Sequence, residues 1–252
     1  MDDGLTTVRV RQFEERDFYD VERIILEGFK DKFRVLAYLG EQRMLELFKD
    51  SGFISQKSYK GYLVAEHGDQ VLGVLFLTWK GQKRPENPTL NKFQLMRKYG
   101  LKTLLKYYIC LGLLEDNITE KTCHAELLAV DEETRGLGVG TALLDAGLDF
   151  MEKSKNLKTF SLYVAESNTA AYRLYNRMGI KARSKKHSIL TKYFFREESW
   201  IYMDTDIENS QQAYYVKRKG WWLGFIGSLG FLNISFSWIL FPMFLWFVPE
   251  RR

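Results

Sequence analysis

The stretch Thr134-Arg-Gly-Leu-Gly-Val-Gly-Thr141 sets three glycines at alternate positions directly behind an arginine. Before it, the apolar run ELLAV (126–130) reads as the end of a strand. After it, TALLDAGLDFMEKS (141–154) reads as a helix, with Leu144, Leu148 and Met151 forming one apolar stripe. A glycine turn between a strand and a helix exposes successive backbone N–H groups at the positive end of the helix dipole, which makes a cradle for an anion. Side chains at those positions would hold a phosphate away, and glycine has none. The cradle is not a P-loop, because no Lys-Ser or Lys-Thr follows the glycines. Nor does it match the dinucleotide pattern GxGxxG. Counting from Gly136, the third glycine would fall at Thr141, and Glu166, which ends the next strand, lies beyond the spacing of about 20 residues expected for a ribose contact. That leaves another pyrophosphate, such as that of coenzyme A.

The neighbouring segments support a mixed α/β domain. Downstream, TFSLYVAE (159–166) predicts a strand, and NTAAYRLYNRMG (168–179) a helix with Ser167 or Asn168 as its cap and Gly179 as its stop. KYFFREESWIYMDTDI (192–207) is expected to supply the closing strands. Upstream, TTVRVRQF (6–13) alternates as a strand. Asp17 can cap a helix carrying Phe18, Val21, Ile25 and Phe29, and a further helix is expected near Glu41 to Lys49. GYLVAEH (61–67) and QVLGVLFLTW (70–79) read as a hairpin through Gly68-Asp69. After the polar loop GQKRPENPTLNK (81–92), residues 92–114 predict one basic helix, either packed with a solvated face or lying on a membrane.

With these elements in place, the chain resembles the GNAT N-acetyltransferase family. Arg135, Gly138 and Gly140 match its coenzyme motif [QR]xxGx[GA]. Asn168, Ala171, Leu174, Tyr175 and Gly179 match NxxAxxLYxxxG. The likeness covers roughly residues 6–207 and implies a GNAT-like mixed, mostly antiparallel central sheet flanked by helices. It further implies acetyl-CoA as co-substrate, its pyrophosphate held by backbone N–H groups across Gly136, Leu137, Gly138, Val139, Gly140 and Thr141, with Arg135 opening the turn. Backbone groups of Leu128 and Val130, on a strand that splays from its neighbour, would bond the pantetheine arm, with Asn168 on the other side. Tyr175 matches the family's usual general acid. Glu126 is the candidate base, with His124 as its rival two residues away on the same strand.

Composition narrows the rest. The 252 residues are 46% hydrophobic with a formal charge of +5, and the 37 basic and 32 acidic residues are largely interspersed. No nucleic-acid partner is expected: the basic patch KARSKKH (181–187) reads as a solvated strand edge. The two cysteines have no ligand spacing, so no metal site or disulfide is expected, and a reducing compartment is the default. Trp221 to Val248 contains no charged residue and is flanked by Tyr214, Tyr215, Lys217, Arg218 and Lys219. It is expected to be a membrane segment, either one helix or a re-entrant hairpin broken by its glycines, Asn233 and Pro242. The expected layout is a catalytic domain over 1–207, a linker over 208–220, a membrane segment over 221–248 and a basic tail over 249–252. The expected protein is a membrane-anchored, acetyl-CoA-dependent N-acetyltransferase with its catalytic domain facing the cytosol, acting on an amine, membrane-associated or otherwise. The alternatives are a tethered coenzyme A-binding or interaction module without catalysis and an acyltransferase using a longer acyl-CoA.

Overall fold

The computed structural model describes residues 8–29, 33–85, 88–113, 118–206 and 231–232. The elements run β1 (Arg9–Gln12), α1 (Phe18–Phe29), α2 (Glu41–Asp50), β2 (Tyr62–His67), β3 (Gln70–Thr78), α3 (Lys92–Tyr99), α4 (Leu101–Leu113) and β4 (Thr122–Val130). They continue with α5 (Val139–Glu152), β5 (Thr159–Ala165), α6 (Thr169–Arg177), β6 (Lys181–His187), α7 (Ile189–Phe195) and β7 (Ser199–Asp206). Seven strands form one sheet in the order β1-β2-β3-β4-β5-β7-β6, all pairs antiparallel except β4 with β5.

Helices cover both faces, as the near-continuous burial of β3 and β4 requires. Paired residues of β3 and β4 share a face, so Leu75 lies with Leu128, and Val74 with Ala129. A Cβ on Gly147 of α5 would lie 3.0 Å from Leu75 Cδ2, whereas one on Gly28 of α1 would lie 3.8 Å from Ala129 Cβ. The two helices therefore pack on opposite sides of the sheet. Between them β4 is buried along its whole length, and the core includes Ile24, Ile25, Leu47, Phe48, Val64, Leu77, Leu127, Leu143 and Phe160.

Two expectations change. The single helix over 92–114 is two, α3 and α4, because Gly100 takes φ +82° and ends α3 after Tyr99. In 192–207 only the second half is strand. Its start belongs to α7, where Ser188 caps through Thr191 N and buries Phe194 and Phe195. Of the run 221–248, only Phe231–Leu232 is described. These two residues form a short strand, β8, antiparallel to β4 at Leu128 and Leu127. The rest of that run, with 208–220 and 249–252, lies outside the described residues. Among the described residues no helix is long and apolar enough to cross a membrane.

Candidate functional site

The site begins where β4 leaves β5. The two strands pair in parallel for three positions, Thr122 to Thr159, Cys123 to Phe160 and His124 to Ser161, and then separate. β5 stays bonded to β7 along its whole length. The edge of β4 from Ala125 to Val130 is thus turned away from the β5 ladder, with the two rungs to β8 at Leu127 and Leu128 lying on this stretch. Backbone N–H and C=O groups on such an edge can bond an extended ligand arm.

At the end of β4 the chain turns sharply. Asp131 is buried and accepts a hydrogen bond from Glu133 N, while Arg23 of α1 meets its other oxygen at 2.6 Å. The turn then passes through Gly136 and Gly138, with φ of +91° and +85°. Gly138 is the N-cap of α5 and provides no side-chain cap, so the first N–H groups of α5 at Val139, Gly140 and Thr141 have no intrahelical acceptor. A Cβ on Gly138 would meet nothing within 4 Å; it would project into the open space over the turn. Val130, Thr134, Gly136, Gly138, Val139, Gly140, Thr141 and Leu174 line one pocket. The Arg135 side chain reaches Glu132 at 3.0 Å through Nη1, and its buried Nε has no hydrogen-bond partner. The uncapped helix N–H groups facing this pocket are donors that a pyrophosphate satisfies, whereas Arg135 is not part of its lining. Leu137 is half exposed on the rim.

α6 forms the opposite wall. The side chain of Asn168 caps it, its Oδ1 accepting from Ala171 N at 3.0 Å, so only the Asn168 amide N–H groups remain for a ligand. Leu174 reaches the turn: a Cβ on Gly140 would stand 3.7 Å from both Leu174 Cδ2 and Val130 Cγ2. The next residue, Tyr175, is 1% exposed, and burial pushes its phenol well above the usual value. The hydroxyl therefore stays protonated at neutral pH, the state an acid catalyst needs.

Glu126 lies in the middle of β4, 2% exposed, ion-paired with Arg84. Arg84 comes from the loop after β3. Its guanidinium stacks 5.1 Å from the Tyr59 ring and also donates to Leu77 O and Gln82 Oε1. Burial pushes the Tyr59 phenol up to about 12. His124, the rival base, sits with Nδ1 2.8 Å from Ser161 Oγ, across the last rung that joins β4 to β5. The structure thus gathers Val130, the glycine turn and α6 around one pocket. Glu126 is placed further down β4 beside Arg84, a residue the sequence does not mark, because its role depends on a contact 42 positions away.

Residues 24–180 match the sequence profile of the acetyltransferase (GNAT) family. The chain is 46% identical over 61 residues to a mycothiol acetyltransferase of Salinispora arenicola, covering 24% of this chain and 20% of that protein. It is 40% identical over 80 residues to an uncharacterized N-acetyltransferase of Methanocaldococcus jannaschii, covering 32% of this chain and 49% of that one. The chain thus spans about a fifth of the first relative and about half of the second. Among solved structures, an N-acetyltransferase from Staphylococcus aureus Mu50 shares the fold with a TM-score of 0.55 at 16% identity, over 78% of this chain and 100% of that one.

Proposed function

The chain belongs to the acetyltransferase (GNAT) family, and from that premise we propose that it is an acyl-CoA-dependent N-acetyltransferase with acetyl-CoA as donor. The observation that carries this reading is the juxtaposition of two features: β4 parts from β5 after three rungs, and the uncapped N-terminus of α5 opens at the end of that same strand. A linear arm ending in a pyrophosphate fits both.

In this reading the N–H groups of Val139, Gly140 and Thr141, with those of Gly136 to Gly138, hold the pyrophosphate. Backbone groups of Leu128 and Val130 bond the pantetheine arm from one side and the Asn168 amide from the other. An arm bonded at Leu128 displaces the β8 rungs. When bound, the donor supplies an acyl group already activated as a thioester. An amine near neutral pH is mostly ammonium, so the site must remove a proton before the amine attacks. Glu126 is the group proposed to accept it, directly or through water, and Arg84 holds its carboxylate in place. Tyr175 donates its phenolic proton to the departing sulfur. The protein's own groups thus supply orientation, proton removal and proton return, each worth about a hundredfold or more in rate.

The engagement of Glu126 by Arg84 favours a second reading, a coenzyme A-binding module without turnover. The test is calorimetric titration with coenzyme A followed by thioester turnover across a panel of amines and acyl chain lengths. Binding with turnover supports the enzyme, and binding without turnover on any amine supports the module. No binding overturns both. Preference for a longer chain would replace acetyl as the donor.

Membrane association, with the domain on the cytosolic side, is proposed from the uncharged run 221–248 and its basic, aromatic flank. It favours an amine acceptor held at that surface. Flotation of the full chain with liposomes, lost on removing 221–252, is the expected result.

A further inference from the structure

α4 is apolar on two sides. Leu104, Tyr107, Cys110 and Leu111 are buried toward the core, yet Leu101, Leu105 and Ile109, four residues apart, form a second stripe that is 69%, 47% and 36% exposed. α7 repeats this arrangement: Phe194 and Phe195 are buried while Ile189, Leu190 and Tyr193 stand in solvent. The two helices touch each other, and both touch the 3-10 segment Arg34–Leu39. From that segment the exposed Tyr38 donates to Thr103 Oγ1 at 2.9 Å and lies 4.7 Å from Lys106 Nζ. Scattered exposed leucines need no explanation, but three adjoining elements that each present large apolar side chains do.

The charges carried by α3, α4 and α7 themselves have one sign. Residues 92–113 contain five basic residues (Lys92, Arg97, Lys98, Lys102 and Lys106) and no acid, and residues 188–196 contain Lys192 and Arg196 and no acid. Some of these have partners beyond the helices: Lys98 meets Glu46 and Asp50, and Lys192 meets Glu198. Arg97 and Lys102 lie at exposed positions. Apolar stripes bordered by lysine and arginine match the boundary between acyl chains and anionic headgroups.

We propose that the face formed by α4, α7 and Tyr38 docks on an anionic membrane surface, with Leu101, Leu105, Ile109, Ile189, Leu190 and Tyr193 entering the acyl boundary. Charge complementarity selects this occupant, and the chain's own uncharged 28-residue run supplies a second reason to expect the bilayer nearby. The proposal shares the bilayer with the membrane reading given above but requires neither the tail's insertion nor acyl transfer.

The test uses the full chain with single introduced cysteines, Leu105→Cys and Leu190→Cys, each labelled with an environment-sensitive fluorophore. Glu152→Cys on α5, across the sheet, is the control. Cys110 and Cys123 are buried, and burial pushes the Cys110 thiol to about 12, so native labelling favours the introduced sites. With vesicles of phosphatidylcholine and phosphatidylserine, the probes at 105 and 190 should shift to the blue and be quenched by brominated acyl chains, while the probe at 152 stays unchanged. Adding Lys102→Glu to the Leu105→Cys protein should weaken its partitioning about tenfold, as should raised salt. Flotation without quenching at 105 and 190 overturns the face while leaving the membrane reading intact. Neither flotation nor quenching overturns both. A blue-shifted probe before vesicles are added, unchanged by them, overturns the proposal in favour of a cover from this chain's tail or a second copy.

Discussion

Gly138 shows how a single residue can serve a ligand. Its φ of +85° costs an ordinary side chain about 1 kcal/mol, and its missing Cβ leaves the space over the first turn of α5 open. Gly138→Glu is expected to abolish coenzyme A binding in calorimetry. Gly68→Ala, another positive-φ position with open space around it, should leave that binding unchanged. Tyr175→Phe should lower turnover about a hundredfold with little change in coenzyme A affinity, since only a buried hydroxyl is lost. Glu126 and Arg84 test the site from its other end. Arg84→Met leaves a buried carboxylate without its ion-pair partner and should cost about 3 kcal/mol in denaturant unfolding, and replacing Glu126 by Met as well should recover most of it. The glycine turn and the Asn168 cap were legible because local spacing carries them. Arg84 was not, since no periodicity in a proline-containing loop indicates which strand it will meet.

Helices were legible where one face is apolar: α1, α2, α5 and α6 follow from their periodicity, while the β2–β3 hairpin follows from two apolar runs joined by Gly68-Asp69, and α5 begins at Val139, two residues before the expected Thr141, with Gly138 as its N-cap. The missed break at Gly100 has a physical cause: α3 and α4 continue the same basic-apolar composition, and only the backbone conformation of one residue separates them. Element packing carries two further predictions. A Cβ on Gly73 of β3 would lie 2.9 Å from Ala129 O and 3.0 Å from Leu143 Cδ1 and Val139 Cγ1, so Gly73→Ala should push α5 off the sheet and destabilise by about 1–3 kcal/mol. At the sheet edge, Arg11 of β1 bonds both Asp17 and Glu66 at 2.6 Å. Burial alone would raise Asp17, but the Arg11 guanidinium and Glu14 N–H outweigh it and hold the carboxyl below its ordinary value. With the folded value below the unfolded one, the stability this group contributes is present above about pH 4 and is lost as pH falls through the folded value. On going from about pH 6 to about pH 3, the urea midpoint of the wild type should therefore fall further than that of Asp17→Asn.

For the whole molecule, the mixed, mostly antiparallel sheet was expected from the GNAT resemblance that the glycine turn and the segment Asn168 to Gly179 carry, and seven strands in that arrangement are found. The apolar run 221–248 was read from its uncharged length and its aromatic and basic flank; of its residues Phe231 and Leu232 are described, and they pair with β4. The three-rung junction between β4 and β5 has a mechanical meaning as well as a chemical one. On one side stand β1 to β4, on the other β5, β7 and β6, and among the described residues the β4–β5 ladder stitches these half-sheets together at Thr122, Cys123 and His124, with Lys121 O just before them accepting from Lys158 N and Thr159 N, and α5 lies across both. A ligand arm bonded along the β4 edge and to Asn168 beyond β5 would act as a suture. The unliganded protein, in which two β8 rungs are what meets this edge among the described residues, should then exchange the β5-side amides of 125–130 faster than those bonded to β3 and unfold with a shallow urea slope. Saturation with coenzyme A should protect those amides and steepen the slope, as two loosely joined halves begin to unfold as one.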